Sequence, residues 1–244
     1  MLNTGASSAL RSFLDILFPP VCPLCEEDIQ LDSLCLCTGC LNSLSIFKIK
    51  KPACTVCGLP FASDAGQDRP CGNCLSKDPP FIEARSAFIY EEAVLQAIHA
   101  FKYKGKVTLA PALGRLAAEA SIFSANPGLV VPVPLHKKRL KERGFNQSLL
   151  LAREISKSFS VPLDYSNLIR VKATEQQVNL SAEERKRNVA GAFEVKDRGA
   201  FKGKRVLLVD DVYTTGATIR ECSKALKGAG AKVFVITLAR AIKV

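Results

Sequence analysis

Residues 206–218, with the sequence VLLVDDVYTTGAT, restrict the fold more than any other part of the chain. The segment opens with four apolar residues without polar alternation, which is typical of a strand buried on both faces of a parallel sheet. Asp210 and Asp211 follow, and ligands of open α/β sheets bind beyond the carboxyl ends of the strands. Small and hydroxyl-bearing residues then lead into a helical pattern, whose N-terminal amides are suited to bind a phosphate. The segment predicts a site for a ribose 5-phosphate, and a buried strand with an ordinary turn is the alternative.

The same thirteen residues resemble the phosphoribosyl-pyrophosphate (PRPP) motif of type I phosphoribosyltransferases. The resemblance implies that Asp210 and Asp211 hold the 2′- and 3′-hydroxyls of the ribose. It implies that the 5′-phosphate is held by Thr214, Thr215, Gly216, Ala217 and Thr218. In hypoxanthine-type members the position of Thr214 is a carboxylate thought to assist the acceptor base, whereas adenine-type members manage without one. Because a threonine cannot replace that carboxylate, the motif does not identify the acceptor.

Nine of the ten cysteines lie between Cys22 and Cys74, and eight of them form four Cys-x-x-Cys pairs. These pairs are Cys22 and Cys25, Cys37 and Cys40, Cys54 and Cys57, and Cys71 and Cys74. Two such pairs supply the four thiolates of a tetrahedral Zn²⁺ site, and an all-cysteine site is closed and structural. Pairing the motifs in sequence order predicts two structural zinc sites, and the alternative is cross-bracing of the first pair with the third and the second with the fourth. Cys35 is left over.

The composition of the chain changes near residues 76–81, and we place a domain boundary there. Residues 1–80 carry six Lys or Arg against eight Asp or Glu, and comprise an amphipathic helix near residues 8–18 and the cysteine pairs. Residues 81–244 carry 28 against 15, which predicts attraction of polyanions such as a pyrophosphorylated sugar or nucleic acid. Strand and helix patterns alternate in this second part, which indicates an α/β fold with a parallel sheet flanked by helices.

The sequence predicts a cytoplasmic protein without membrane insertion. Residues 1–18 lack a basic start, and Arg11 and Asp15 interrupt their apolar run, so they do not resemble a secretory signal. No run of 18 apolar residues occurs in the chain. Paired cysteines in a cytosolic chain more often bind metal than form disulfides.

A second chemically distinctive segment, residues 135–147, follows a strand pattern at residues 129–134. Cationic side chains at the end of a parallel strand are suited to a pyrophosphate. The candidates are His136, Lys137, Arg139 and Arg143. Mg²⁺ is expected to accompany the ligand and to be bound largely through the ligand's own oxygens. The alternative is a solvated basic loop or a nucleic-acid patch.

Residues 171–188 form a polar segment of a length that is uncommon within an α/β domain and is often a mobile lid. Its cationic residues 185–187 include Lys186 and would close over the pyrophosphate. Lys186 and Arg143 are therefore candidates to neutralise the charge of the leaving group. An exposed helix face is an equally good interpretation of the cluster.

Together these features resemble the ComF family. The resemblance rests on the order of the double zinc ribbon, PVPL (132–135), RGFNQ (143–147), Gln177, RNV (187–189) and DDVYTTGAT (210–218). It implies a type I phosphoribosyltransferase-like domain, a structural zinc module and a link to DNA uptake in natural competence. The expected function is transfer of a phosphoribosyl group from PRPP to an acceptor that the sequence does not identify. The alternatives are a catalytically silent module that binds single-stranded DNA and a zinc-ribbon scaffold that recruits proteins of the competence machinery.

Overall fold

A parallel sheet of four strands lies at the centre of the computed structural model, which describes residues 19–29, 35–63, 66–173 and 182–242. The strands of these residues are β1 (Glu83–Ile89), β2 (Leu129–Pro132), β3 (Leu168–Arg170), β4 (Phe193–Val195), β5 (Arg205–Tyr213) and β6 (Lys232–Arg240). The central sheet has the order β1-β6-β5-β2, while β3 and β4 pair antiparallel in a separate sheet. The predicted α/β fold with a parallel sheet is confirmed.

Helices cover both faces of the sheet. They are α1 (Thr38–Ile46), α2 (Gly72–Lys77), α3 (Glu92–Tyr103), α4 (Ala110–Glu119), α5 (Lys137–Arg143), α6 (Gln147–Phe159), α7 (Ala182–Val189) and α8 (Ala217–Gly228). In β5, Leu207 and Val209 pack into a core shared with α3, α4 and α6, whereas Val206 and Leu208 pack into a core shared with α8. Burial on both faces explains why the apolar residues of β5 do not alternate with polar ones.

The prediction that the basic segment forms a loop is wrong, because residues 137–143 form helix α5. His136 caps this helix, since its Nδ1 accepts a hydrogen bond from the amide of Lys138 at 3.3 Å. Gly144 ends the helix in the left-handed conformation, with φ of 79°. Long unbranched Lys, Arg and Glu side chains lose little freedom in a helix, so a run of charge does not argue against helix formation.

Two cysteine-rich units pack against the sheet and its helices. The first, containing residues 19–29 and 35–47, contacts α3, and Glu26 pairs with Lys106 at 3.0 Å beyond the end of that helix. The second, containing residues 53–63 and 66–77, joins β1, where the amide of Ala84 donates to the carbonyl of Val56 at 2.7 Å. The domain boundary near residue 80 stays a prediction, and the predicted helix at residues 8–18 lies outside the described residues.

Candidate functional site

Strand β5 carries the acidic pair at its carboxyl end. Asp210 Oδ1 accepts hydrogen bonds from the Ser148 hydroxyl and from the amide of Asp211, both at 3.0 Å. Ser148 lies in the first turn of α6, which begins where the Asn146 side chain accepts from the amides of Ser148 and Leu149. Burial and the neighbouring Asp211 raise the pKa of Asp210 to about 7, and Lys102 opposes this shift. Asp210 therefore titrates close to neutral pH.

Lys102 is a site residue that the sequence does not reveal. It lies in the last turn of α3, and its Nζ is 2.9 Å from Asp211 Oδ2. Burial lowers the pKa of Lys102, but the charge of Asp211 and the hydrogen bond to it outweigh this effect and raise the pKa above its usual value. The only sequence signal is a lysine at the end of an amphipathic helix, which is ordinarily a solvated residue.

The turn between β5 and α8 has the geometry expected of a phosphate site. Gly216 is the N-cap of α8 and has φ of 74°, a conformation that glycine adopts without strain. A Cβ atom at Gly216 would lie 2.5 Å from Tyr213 Oη, so the tyrosine ring lies directly against the turn. The first amides of α8 lack partners within the helix and carry its positive dipole end, both of which favour an anion.

A cavity of about 340 Å³ connects the acidic pair with this turn. Its lining residues are Tyr90, Lys102, Tyr103, Asp210, Asp211, Val212, Thr214, Gly216, Ala217, Thr218 and Ile219. Six of the predicted site residues are thus brought together around one volume. Thr215 is not among the lining residues, and its hydroxyl accepts a hydrogen bond from the amide of Ala217 at 3.4 Å.

The predicted pyrophosphate residues lie outside the lining of this cavity. The His136 ring is occupied as a helix cap, Lys137 is exposed, and Arg139 lies 3.5 Å from Glu142. Arg143 lies beside the cavity, since its guanidinium is 5.2 Å from the ring centroid of the lining residue Tyr103. The roles of these residues stay predictions.

The predicted lid is described only in part. Residues 182–189 are helical as α7, which agrees with the alternative interpretation of a helix. The side chain of Lys186 and residues 174–181 lie outside the described residues. The lid and the role of Lys186 therefore stay predictions.

Arg170 at the end of β3 is a second cation that the sequence does not reveal. Burial lowers the pKa of Arg170, the charges of Cys222 and Asp210 raise it, and Arg139 lowers it. The guanidinium therefore lies within the electrostatic reach of Asp210 and of Arg139, a predicted pyrophosphate residue. A single arginine in a strand pattern gives no signal of this placement.

The eight paired cysteines form two clusters in sequence order. One contains Cys22, Cys25, Cys37 and Cys40, the other contains Cys54, Cys57, Cys71 and Cys74, and the sulfurs within each lie within 4.8 Å of one another. The cross-braced alternative is therefore excluded. Zn–S bonds of about 2.3 Å place tetrahedral sulfurs about 3.8 Å apart, so both clusters fit Zn²⁺. Cys35 is exposed and belongs to neither cluster.

Backbone amides support the second cluster as a thiolate site. Cys54 Sγ accepts from the amide of Cys57 at 3.4 Å and from the amide of Cys71 at 3.2 Å. Burial raises the pKa of Cys54, but these amide donors outweigh it and lower the pKa to about 7. All four cysteines of this cluster are buried, whereas Cys25 of the first cluster is exposed.

Arg240, the last residue of β6, links the second cluster to β5. Its Nη1 donates to the carbonyl of Cys57 at 2.7 Å, and its Nη2 lies 3.6 Å from Cys57 Sγ. The guanidinium carbon lies 4.1 Å from the centroid of the Tyr213 ring. Arg240 and Tyr213 are register partners in the sheet, and both are buried.

Comparison with known proteins agrees with this arrangement. Residues 13–75 match the double zinc ribbon domain family, and residues 146–243 match the phosphoribosyl transferase domain family. The chain thus combines two zinc ribbons with a phosphoribosyltransferase-type domain, on a parallel sheet flanked by helices.

Whole-chain relatives define the family. The chain is 33% identical over 219 residues to the DNA utilization protein YhgH of Salmonella typhimurium, covering 87% of this chain and 93% of the relative. It is 33% identical over 229 residues to competence protein F of Haemophilus influenzae, covering 90% and 96%. It is 29% identical over 241 residues to competence protein ComFC of Bacillus subtilis, covering 90% and 95%. The chain therefore belongs to the ComF family.

Among the described residues, no helix combines the length and apolar character needed to cross a bilayer.

Proposed function

We propose that this chain binds PRPP and transfers its phosphoribosyl group to an acceptor. The reaction would take place in the cytoplasm and would contribute to DNA uptake or utilization. The observation that carries the proposal is the single cavity that joins Asp210 and Asp211 to the turn at residues 214–218. A ribose 5-phosphate needs acceptors for two hydroxyls at one end and donors for a phosphate at the other. The cavity supplies both.

The acidic pair serves as the receptor for the ribose hydroxyls. A carboxylate offers about four lone-pair positions, so Asp211 can accept from a hydroxyl while it remains paired with Lys102. Ionised Asp210 is a stronger hydroxyl acceptor than the protonated acid, which makes binding sensitive to pH near 7. The carboxylates are also the hard oxygen donors that Mg²⁺ prefers, and the metal would supply neutralisation of the pyrophosphate charge when bound with PRPP.

Transfer breaks the bond between C1′ and the pyrophosphate oxygen and forms a bond from C1′ to the acceptor, which loses a proton. The transition state resembles an oxocarbenium ion, so the protein contributes by positioning the sugar and by compensating the charge of the departing pyrophosphate. Arg143, Arg139 and Lys137 on α5, with Lys186 on α7, are the proposed sources of positive charge, and the His136 ring would contribute a hydrogen bond through its other nitrogen.

Isothermal calorimetry with PRPP and Mg²⁺ tests the binding step. The wild type should bind, and the double variant Asp210→Asn/Asp211→Asn should lose most of its affinity. Glu119→Gln, an exposed carboxylate at the end of α4, is the matched control and should bind as the wild type does. Unchanged affinity in the double variant would remove the sugar-binding role. A screen of nucleobases and amines for pyrophosphate release then tests transfer.

A second candidate is a module that binds single-stranded DNA without catalysis. Lys137, Lys138 and Lys141 are exposed on α5, and Tyr103 of the cavity rim is 55% exposed. The Arg143 guanidinium lies 5.2 Å from the Tyr103 ring centroid, and a cation beside an exposed aromatic ring suits a nucleic-acid strand. DNA binding that weakens steeply with salt, together with no pyrophosphate release for any acceptor tried, would favour this function, with or without competence-machinery partners.

A further inference from the structure

The side chain of Arg240 touches both a zinc ligand and the residue that supports the phosphate-binding turn. On one side it donates to the carbonyl of Cys57 and lies 3.6 Å from the Cys57 sulfur. On the other side its guanidinium stacks over the ring of Tyr213. The exposed fractions of Cys57, Tyr213 and Arg240 are 4%, 4% and 7%, so these contacts are made away from solvent.

Tyr213 also packs against the turn at residues 214–218. Its ring atoms Oη, Cζ and Cε1 occupy the positions 2.5 to 2.7 Å from where a Cβ of Gly216 would be. The tyrosine ring therefore fixes the closest approach of the turn to the sheet. The backbone supports the same group of residues, because the carbonyl of Tyr213 accepts from the amide of Ala241 and that of Arg240 accepts from the amide of Tyr90.

The negative charge of the second cluster favours a guanidinium beside it. Four thiolates around Zn²⁺ leave a net charge of about −2, and a buried negative group requires a positive partner. Among the described residues, Arg240 is a guanidinium directly in contact with this cluster. The edge of the planar guanidinium can contact the ribbon while its face stacks on the tyrosine ring. A lysine ammonium is not planar and cannot make both contacts.

We propose that Arg240 is a positioning residue that couples the second zinc site to the phosphate-binding turn. The zinc ribbon holds the edge of the guanidinium, the guanidinium holds the Tyr213 ring, and the ring holds Gly216 and the amides of residues 214–218 in the geometry that receives a phosphate. The effect on ligand affinity rests on the proposed PRPP function, whereas the effect on the turn itself does not. The zinc ribbon is thus part of the sugar-phosphate site as well as a folding module.

Hydrogen exchange of the turn, measured without PRPP, tests the coupling directly. Arg240→Gln should speed exchange of the amides of residues 214–218 about tenfold, because charge-assisted hydrogen bonds and ring stacking are lost. Arg240→Lys keeps the positive charge but loses the planar guanidinium. Its amide exchange rate should therefore lie between those of Arg240→Gln and the wild type. Cys74→Ser, which disrupts the second zinc site without touching Arg240, should speed exchange in the same peptide. The double variant Arg240→Gln/Cys74→Ser should show no more than the larger single effect.

Arg85→Gln is the matched control. Arg85 also donates from its guanidinium to the second ribbon, at the carbonyl of Thr55, but it lies on β1 and does not contact Tyr213. This variant should leave exchange of the turn unchanged. The coupling would be overturned by wild-type exchange in a folded Arg240→Lys or Arg240→Gln protein, or by equal acceleration in Arg85→Gln.

Calorimetry with PRPP and Mg²⁺ on the same proteins separates the two proposals. If the wild type binds PRPP, Arg240→Gln should weaken binding about tenfold with zinc content retained, and Arg85→Gln should not. If the wild type fails to bind PRPP, the proposed function falls while the exchange data still decide whether Arg240 couples zinc to the turn. Binding by Arg240→Gln with wild-type affinity would overturn the role of Arg240 in ligand binding.

Discussion

Lys102 Nζ lies 2.9 Å from Asp211 Oδ2, and this ion pair joins the last turn of α3 to the carboxyl end of β5. The exposed fractions of the two side chains are 17% and 6%, so water compensates little of either charge. The pair places the cationic side chain of Lys102 in the lining of the cavity, beside its acidic residues. It also ties the position of α3, against which the first zinc ribbon packs, to the acidic pair.

Replacing Lys102 by Met should lower the free energy of unfolding by about 3 kcal/mol, because a buried carboxylate would lose its partner. The double variant Lys102→Met/Asp211→Asn should recover at least half of this loss, since neither charge then remains. Lys104→Met, two residues further along and exposed, is the control and should change stability little. Urea unfolding followed by circular dichroism measures all three. Equal stability of the Lys102 and Lys104 variants would show that the pair contributes nothing.

The sequence predicts the arrangement of the part of the candidate site that is contiguous in the chain. A buried strand, two carboxylates and a helix N-terminus follow one another in residues 206–218, so local rules of strand burial and helix polarity specify their arrangement. The cysteine pairs were equally informative, because the spacing of two residues within each pair is imposed by the metal.

Lys102, Arg170 and Arg240 were missed because nothing in their local sequence distinguishes them. Each lies at the end of an ordinary helix or strand, and each reaches its partners only when the fold brings distant segments together. The error at α5 has a different cause. High charge density is not evidence for a loop, because helix propensity and the His136 cap favour a helix here.

Asp210→Asn should stabilise the protein at alkaline pH. Because the fold raises the pKa of Asp210 from 3.8 to about 7, it favours the protonated form. The associated stability is complete below about pH 4 and is lost as the pH rises through about 7. Asparagine stays neutral throughout, so the variant should melt about 3 °C or more above the wild type at pH 8 and close to it at pH 4.5.

Asp164→Asn is the control of opposite sign for the same thermal melts. Burial raises the pKa of Asp164, but hydrogen bonds from Asn167 and Ser166 outweigh it and lower the pKa below 3.8. Its ionised form therefore stabilises the fold above that pH and the effect is lost on acidification. This variant should melt below the wild type at pH 8. A melting temperature of Asp210→Asn at or below that of the wild type at pH 8 would contradict the raised pKa.

Gly216→Ala should damage both stability and PRPP binding. A side chain at φ of 74° is strained, and the new Cβ would meet the Tyr213 ring, so we expect a loss of about 2 kcal/mol in the free energy of unfolding. Gly228→Ala, at the other end of α8, is the matched control because no atom lies within 4 Å of its added Cβ. That variant should be neutral or slightly stabilising. Denaturant unfolding and calorimetry with PRPP measure the two effects, and similar behaviour of both variants would contradict the proposed packing.

The two zinc sites should release their metal at different rates. All four cysteines of the second site are buried, whereas Cys25 is exposed and Cys37 and Cys40 are partly exposed in the first. A chelator must reach the metal to compete with the thiolates, so release of about two zinc ions per chain should be biphasic, with the first site several-fold faster. Cys25→Ser should remove the fast phase and leave the slow one, as followed by the absorbance of a chromogenic chelator. A single phase in the wild type, or loss of the slow phase in Cys25→Ser, would show that burial of the second cluster does not protect its metal.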